Sequence, residues 1–380
     1  MHIKSKLPYT ETSIFAVMSG LANQHNAINL SQGFPDFQVS RELIELIHKY
    51  MLADKNQYAP MPGVPELRTA IAQKIYKLYG TEINPDTEIT ITAGATQALY
   101  TVISAFIGEG DEAIIFEPAY DSYSPAVKLN GGIPEYISLD APDFKINWDE
   151  VKKLISYKTK MIIINTPNNP GGFIFEAEDM IRLEEITRDT DIIVISDEVY
   201  EHIIFDDFQH QSALKFGDLF ARTLAVFSFG KTFHATGWKM GYVVAPDALM
   251  NEFRKVHQFN VFSVNTPIQY ALAEYLQNEK NYLSLPKFYQ EKRDFFIKAI
   301  QGSRFKVIPT HGTYFQLLDY SNISDENEFE FAQWMTIEKS LASIPVSSFY
   351  HNKKNQQILR FAFPKEQDTL KHAAEILNKI

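Results

Sequence analysis

The sequence predicts an α/β fold: a large domain with a mostly parallel central sheet flanked by helices, followed by a smaller α+β domain. Three observations predict it. Between Ile89 and Val244, short unbroken Ile/Val-rich runs alternate with helix-length stretches, the pattern of parallel strands buried on both faces. After roughly Leu276 the pattern changes to long amphipathic helices with further strand-like runs between them. The chain has 380 residues, more than one typical core organises, so about two domains are expected.

Each element follows from its local pattern. Residues 89–92 (Ile-Thr-Ile-Thr) form a β-branched strand, and 96–106 behind them a helix. Residues 113–116 (Ala-Ile-Ile-Phe) give the next strand, followed by a helix-capable segment. Residues 161–164 (Met-Ile-Ile-Ile) precede an amphipathic stretch over 176–187, and strands follow at 192–195 and 223–227. In the smaller domain, helices are expected at 285–300, 328–338 and 369–378, with strand-like runs at 305–308, 313–318 and 358–363. Residues 1–30 are expected to pack with it as an arm, so the domains run 31–276 and 277–380.

Composition narrows the function classes. Apolar residues at 45% and charged residues at 22% are ordinary globular values. The net charge of −11 argues against nucleic acid or an anionic membrane as partner. The chain has no cysteine, which excludes disulfides, thiolate metal sites and a cysteine nucleophile. Residues 1–9 are short and polar, without the apolar run of a signal peptide, and no segment approaches the ~20 apolar residues of a spanning helix. A cytoplasmic protein without a metal is expected.

The most informative segment is Ser228-Phe229-Gly230-Lys231-Thr232-Phe233, closing with Gly237-Trp238-Lys239-Met240-Gly241. Lys231 sits just past a strand-like run, where backbone geometry can fix it, and Ser228 and Lys239 flank it as phosphate ligands. A lysine that bonds a phosphorylated aldehyde needs that setting. Gly230-Lys231-Thr232 also matches the tail of a nucleotide P-loop, but Ala225 stands where that pattern needs its first glycine. Asp197, in Ser196-Asp197-Glu198-Val199-Tyr200, follows another apolar run, and strand ends are where open α/β sheets build ligand sites. A carboxylate there can pair with a protonated pyridine nitrogen, with Tyr200 in reach of the ring's phenolic oxygen. Asn165-Thr166-Pro167-Asn168-Asn169-Pro170-Gly171-Gly172 ends a third run in an enforced loop, with Asn169 placed to donate.

With these motifs in this order, the chain resembles the class I/II (fold type I) aminotransferases dependent on pyridoxal 5'-phosphate. Within them it is similar to the branch of kynurenine/glutamine and bacterial methionine aminotransferases. The resemblance runs from Asn29-Leu30-Ser31-Gln32-Gly33-Phe34-Pro35-Asp36 to Leu359-Arg360-Phe361, nearly the whole chain. It implies that Lys231 is the Schiff-base lysine and proton carrier, that Asp197 holds the pyridinium nitrogen, and that Asn169 and Tyr200 contact the phenolic oxygen. Tyr120 would stack on the ring. Ala95 and Thr96 would offer backbone amides to the phosphate at a helix start, completed by Ser228 and Lys239. Arg360 would bind the substrate carboxylate through its planar fork, and Gly33 would line the substrate side. Tyr58 would reach the phosphate of a neighbouring subunit, which implies a homodimer. With Arg360 in one lobe and Lys231 in the other, the site falls in the cleft between them.

Three positions depart from most relatives. Lys239 stands where most carry arginine, a mark of this branch. Phe15 occupies the place of a tryptophan that lids the substrate in kynurenine-type enzymes, and Ser263, after Phe262, replaces a histidine. The pocket candidates Phe15, Tyr58, Tyr123 and Phe262 are aromatic, with Tyr123 expected equally as a core residue, and no second arginine is evident for a distal carboxylate. Methionine, aromatic amino acids and glutamine are therefore the expected donors, rather than aspartate. The alternatives are cysteine-conjugate β-lyase activity at the same site and a catalytically silent cofactor-binding module.

Overall fold

The computed structural model describes residues 3–8 and 10–380. Its strands, in chain order, are β1 (Ile28–Asn29), β2 (Ile89–Thr92), β3 (Glu112–Glu117), β4 (Ile133–Ser138), β5 (Thr159–Asn165), β6 (Ile193–Asp197) and β7 (Thr223–Ser228). They continue with β8 (Gly241–Val244), β9 (Lys306–Ile308), β10 (Phe315–Asp319), β11 (Leu341–Ala342), β12 (Ile344–Pro345) and β13 (Ile358–Ala362).

The large sheet has the order β2-β8-β7-β6-β5-β3-β4. All of its pairings are parallel except those of β8, which runs against both β2 and β7. The strands read as unbroken apolar runs because both faces are covered. Ile115, Met161, Ile163, Ile195 and Val226 join a core with the helix Ala95–Phe106, while Ile114, Ile162, Ile164 and Val194 join the core on the opposite side. Burying alternate side chains on both faces contributes about 25 cal/mol per Å² of apolar surface removed from water.

The reversed strand β8, which the sequence pattern did not distinguish, matters for the site. Gly241 at its start pairs with Ser228 at the end of β7 and with Thr92 at the end of β2. The Lys239 turn thus arrives at the same sheet edge as the ends of the parallel strands. A side chain on Gly241 would meet the Phe227 carbonyl at 2.7 Å, so this close approach requires glycine.

The small sheet is antiparallel, in the order β12-β13-β10-β9. Beyond it, β1 pairs in parallel with β11. Leu30 then exchanges backbone bonds with Ala342 and Ala362, which carries the segment from Ser31 onward across the end of this sheet toward the large one.

Candidate active site

Three neighbouring strands end side by side: Asn165 of β5 is in register with Asp197 of β6, and Asp197 with Val226 of β7. The loop after β5 is tied to its neighbour, since Asn165 donates from Nδ2 to the Asp197 carbonyl at 2.9 Å and accepts the Asn169 N–H at 2.8 Å. Lys231 lies in the helical turn Phe229–Thr232 directly after β7, and Ser228 caps that turn by accepting the Lys231 N–H at 3.4 Å. Its hydroxyl hydrogen stays free for an anion.

Two cavities meet at Lys231. One, of about 190 Å³, reaches from Asp197 past Tyr120 to Ala95, Thr96, Ser228 and Lys239. The other, of about 260 Å³, is walled by Phe15, Phe34 and Phe315 and has Arg360 at its far side. Tyr120, Asn169, Tyr200 and Lys231 line both. The Lys231 amine donates to the Gly33 carbonyl at 3.1 Å and the Tyr314 hydroxyl at 2.8 Å. Its pKa is lowered to about 7, chiefly by burial and then by Arg360 and Lys239, with Asp197 acting against them. A lysine so placed is available as a neutral amine near neutral pH.

The first cavity is a fit for pyridoxal phosphate. Asp197 is buried, and its pKa is raised to about 6 by burial, although the Tyr123 hydroxyl donates to it at 2.5 Å and the Val199 N–H at 3.3 Å. Among the described residues no cationic side chain pairs with it, so a protonated ring nitrogen would supply the missing charge. At the other end, Gly94 takes φ +81°, which turns β2 into the helix Ala95–Phe106 and exposes the first-turn amides of Ala95 and Thr96. Those amides have no partner within the helix and suit a phosphate, with Ser228 and Lys239 beside them. Tyr120 is oriented by its hydroxyl, 3.3 Å from the Thr96 Oγ1, and by an edge contact with Tyr123.

The second cavity holds an unpaired guanidinium, which suits a carboxylate. Arg360 is fully buried, with its guanidinium 3.9 Å from the Phe315 ring centre and Phe15 and Phe349 slightly farther off. It donates from Nη1 to the Asn169 Oδ1 at 2.7 Å and from Nη2 to the Ser31 carbonyl at 2.8 Å, while its buried Nε–H has no partner. Burial lowers its pKa to about 10, so it stays cationic at neutral pH, bonded to neutral oxygens and to no carboxylate side chain among the described residues. Because arginine only donates, the Asn169 oxygen must face Arg360, which turns the amide nitrogen toward the shared space.

The structure thus brings Ala95, Thr96, Tyr120, Asn169, Asp197, Tyr200, Ser228, Lys231 and Lys239 around one cavity, and Phe15, Gly33 and Arg360 around the other. Two expected residues stand elsewhere. Tyr58 and Phe262 form an edge-to-face pair at 5.6 Å, are 83% and 48% exposed, and line neither cavity of their own chain. Phe262 comes just after the helix Asp247–Asn260, in a left-handed turn (φ +66°) that faces outward. Tyr123, a pocket candidate also expected to pack in the core, is buried and donates to the Asp197 carboxylate. Tyr314, Phe315, Phe34 and Thr236 were not singled out from the sequence. Tyr314 and Phe315 lay in a run recognised only as a strand, where aromatic residues are core by default.

A sheet-edge amine set between an anion seat and a buried carboxylate on one side, and a guanidinium on the other, defines a pyridoxal-phosphate enzyme that acts on amino acids. The chain belongs to the class I and II aminotransferases, whose family model matches residues 25–377. It is 49% identical over 378 residues to a methionine aminotransferase of Escherichia coli, spanning 99% of this chain and 98% of the relative. It is 34% identical to human kynurenine–oxoglutarate transaminase 1, over 94% of this chain and 93% of the relative. A solved E. coli structure described as having a methionine aminotransferase function superposes with a TM-score of 0.97 at 48% identity, each chain fully covered. N-Succinyldiaminopimelate aminotransferase of Mycobacterium tuberculosis superposes at 0.95 with 32% identity, again over both full chains. The fold is that of the fold type I enzymes, and the protein is a pyridoxal-phosphate-dependent transaminase of amino acid and 2-oxo acid substrates. No helix among the described residues is long and apolar enough to cross a membrane.

Proposed function

We propose that this enzyme moves the amino group of methionine, an aromatic amino acid or glutamine to a 2-oxo acid by a ping-pong cycle, with Lys231, Asp197 and Tyr200 as its catalytic residues. The observation that carries this is the position of Lys231 between the two cavities, with Arg360 across the second. When bound, pyridoxal phosphate supplies an electron sink for the pair left by the substrate Cα–H bond. Lys231 would hold the cofactor and, once released, take the Cα proton on Nζ. Asp197 would keep a negative charge against the ring nitrogen, and Asn169 and Tyr200 would serve the phenolic oxygen. Ala95, Thr96, Ser228 and Lys239 would hold the phosphate, and Tyr120 would cover the ring. Arg360 and Gly33 would fix the substrate so that its Cα–H faces Lys231, and such positioning contributes a large part of the rate.

The donor range rests on the second cavity, whose walls Phe15, Phe34 and Phe315 are apolar and whose lining contains no arginine besides Arg360. The name of the E. coli relative supports methionine among the donors. The test is the visible spectrum of the purified protein during titration with methionine, phenylalanine, glutamine, kynurenine and aspartate. The first three should bleach the cofactor band, and a 2-oxo acid should restore it. Faster turnover of aspartate than of methionine and phenylalanine would sink the donor assignment.

The proposal includes a cytoplasmic homodimer. The exposed aromatic pair of Tyr58 and Phe262 supports the dimer, with both serving the neighbour's site. Light scattering should give twice the chain mass. The division into an arm (1–30), a large domain (31–276) and a small domain (277–380) is proposed as well, supported by the pairing of β1 with β11.

A further inference from the structure

We propose that Tyr314 is a positioning residue for the catalytic lysine: with the Gly33 carbonyl, it holds the released Lys231 amine by its N–H groups and so aims its lone pair at the reacting atoms. This rests on the reading of Lys231 as the proton carrier. Tyr314 is fully buried just before β10, on the small-sheet side of the cleft, whereas Lys231 belongs to the large sheet. Its hydroxyl contacts the Gly33 carbonyl and, at 2.8 Å, the Lys231 Nζ, and it also accepts from the Tyr200 hydroxyl.

Hydrogen bookkeeping decides the direction of these bonds. The Gly33 carbonyl carries no hydrogen, so the single phenolic hydrogen of Tyr314 must lie on it. Were that hydrogen turned to the amine instead, two oxygens in close contact would face each other without one. Toward Lys231, Tyr314 therefore only accepts. The Gly33 carbonyl, 3.1 Å from Nζ, likewise only accepts. Two amine hydrogens are thus committed to these two oxygens, and on the neutral amine the remaining direction is the lone pair, which is left to the cavities that Lys231 lines.

The phenol has little room to swing. Its ring packs edge-on against Tyr200 at 5.1 Å and Phe315 at 5.0 Å, and is tilted against Tyr289 at 5.8 Å. Tyr289 is itself held by a 2.8 Å hydrogen bond between its hydroxyl and the His234 Nδ1. The charged groups that act on Lys231 are Arg360 on β13, Lys239 ahead of β8 and Asp197 at the end of β6. The phenols of Tyr200 and Tyr314 complete its surroundings.

The test reads the lysine itself in the cofactor-loaded enzyme. With excess amino donor present, Lys231 is free, and trace acylation across a range of pH, quantified on its peptide by mass spectrometry, reports its titration midpoint. Tyr314→Phe removes an acceptor from the ammonium form, so the midpoint should fall by roughly one pH unit. Turnover should fall ~10- to 100-fold with KM nearly unchanged, and the isotope effect of a Cα-deuterated donor should grow. Tyr289→Phe, which touches the same ring but not the amine, should move none of these quantities. Installing 3-fluorotyrosine at position 314 keeps the shape and weakens the oxygen as an acceptor, so it should lower the midpoint even if Tyr314→Phe does not fold. An unmoved midpoint overturns the proposal, as does a raised one, which would mean that the phenol donates to the amine. Equal effects from Tyr289→Phe would reduce Tyr314 to packing and also overturn it. None of these outcomes depends on whether Lys231 is the base, which Lys231→Ala tests separately.

Discussion

The large sheet and the small sheet each deliver charged groups to the cleft, by different means. Asn169, Asp197 and Lys231 stand at or just past the ends of adjacent parallel strands, where the backbone leaves the ladder and a tight turn aims each side chain. Arg360 is the middle residue of β13, paired with Leu317 of β10 and Ile344 of β12, so register and pleat aim it. A strand-end group needs local turn chemistry. A mid-strand cation needs a whole sheet, a ring of aromatic faces and acceptors on other segments, because its burial is otherwise costly. The comparison teaches that the strand-end groups are set locally and the mid-strand guanidinium globally.

The comparison breaks most sharply at Lys231. Lys231→Ala should lower transamination by ~10⁴-fold or more, because in the role proposed for it the group that holds the cofactor also moves the proton. Near-wild-type turnover in a steady-state assay would collapse the assignment. Next comes Asp197→Asn, which keeps the shape but removes the charge. A loss of ~10²- to 10³-fold in kcat is expected, with a changed absorption spectrum of the bound cofactor. On the small-sheet side, Arg360→Lys keeps a cation but loses the fork and its stacking on Phe315, so kcat/KM should fall ~10- to 100-fold, mostly through KM. A loss confined to kcat, measured over a full substrate curve, would contradict its role as an anchor.

Smaller effects sharpen the picture. Tyr123→Phe leaves a buried Asp197 oxygen without its donor, and cofactor affinity should drop ~10-fold in equilibrium dialysis. Stability should also fall in acid. Burial lowers the pKa of His202 to about 3 and of His234 and His257 to about 4, against an ordinary 6.5. Between those values the unfolded chain binds more protons than the folded one. The stabilisation is therefore complete above about pH 6.5 and is lost as pH falls toward 4, by up to ~1.4 kcal/mol per unit for each group. Asp197, raised to about 6, acts in the opposite sense over the lower part of that window. Thermal melts from pH 7 to pH 5 should show a falling midpoint, and a rising one would contradict the histidine account.

Much of this was legible in the chain. The strand-like runs at 89–92, 161–164 and 223–227 coincide with β2, β5 and β7 to within two residues, because strands buried on both faces leave unbroken apolar runs. The breaks in those runs pointed to Asn169, Asp197 and Lys231, since polar residues, proline and glycine interrupt them where the chain turns. The aromatic residues were less legible. Tyr123 reads equally as a pocket wall or a core residue and Tyr314 only as part of a strand, because a buried tyrosine that hydrogen-bonds a site residue has the same local pattern as one that only packs. Tyr58 and Phe262 show the same ambiguity on the surface, where their exposure in one chain gains meaning only beside a second.

By itself, the sequence determined the order of elements, the buried parallel sheet and the strand-end residues proposed to hold the chemistry, because hydrophobic periodicity and turn composition are local properties. Only the tertiary structure decided that β8 runs backwards and so brings Lys239 to the sheet edge, that Arg360 lies under Phe315, and that Tyr314 reaches across the cleft to Lys231. Those facts depend on register and on contacts between residues far apart in the chain, such as the 83 positions that separate Tyr314 from Lys231. No local pattern encodes a contact whose geometry exists only once two sheets have packed together.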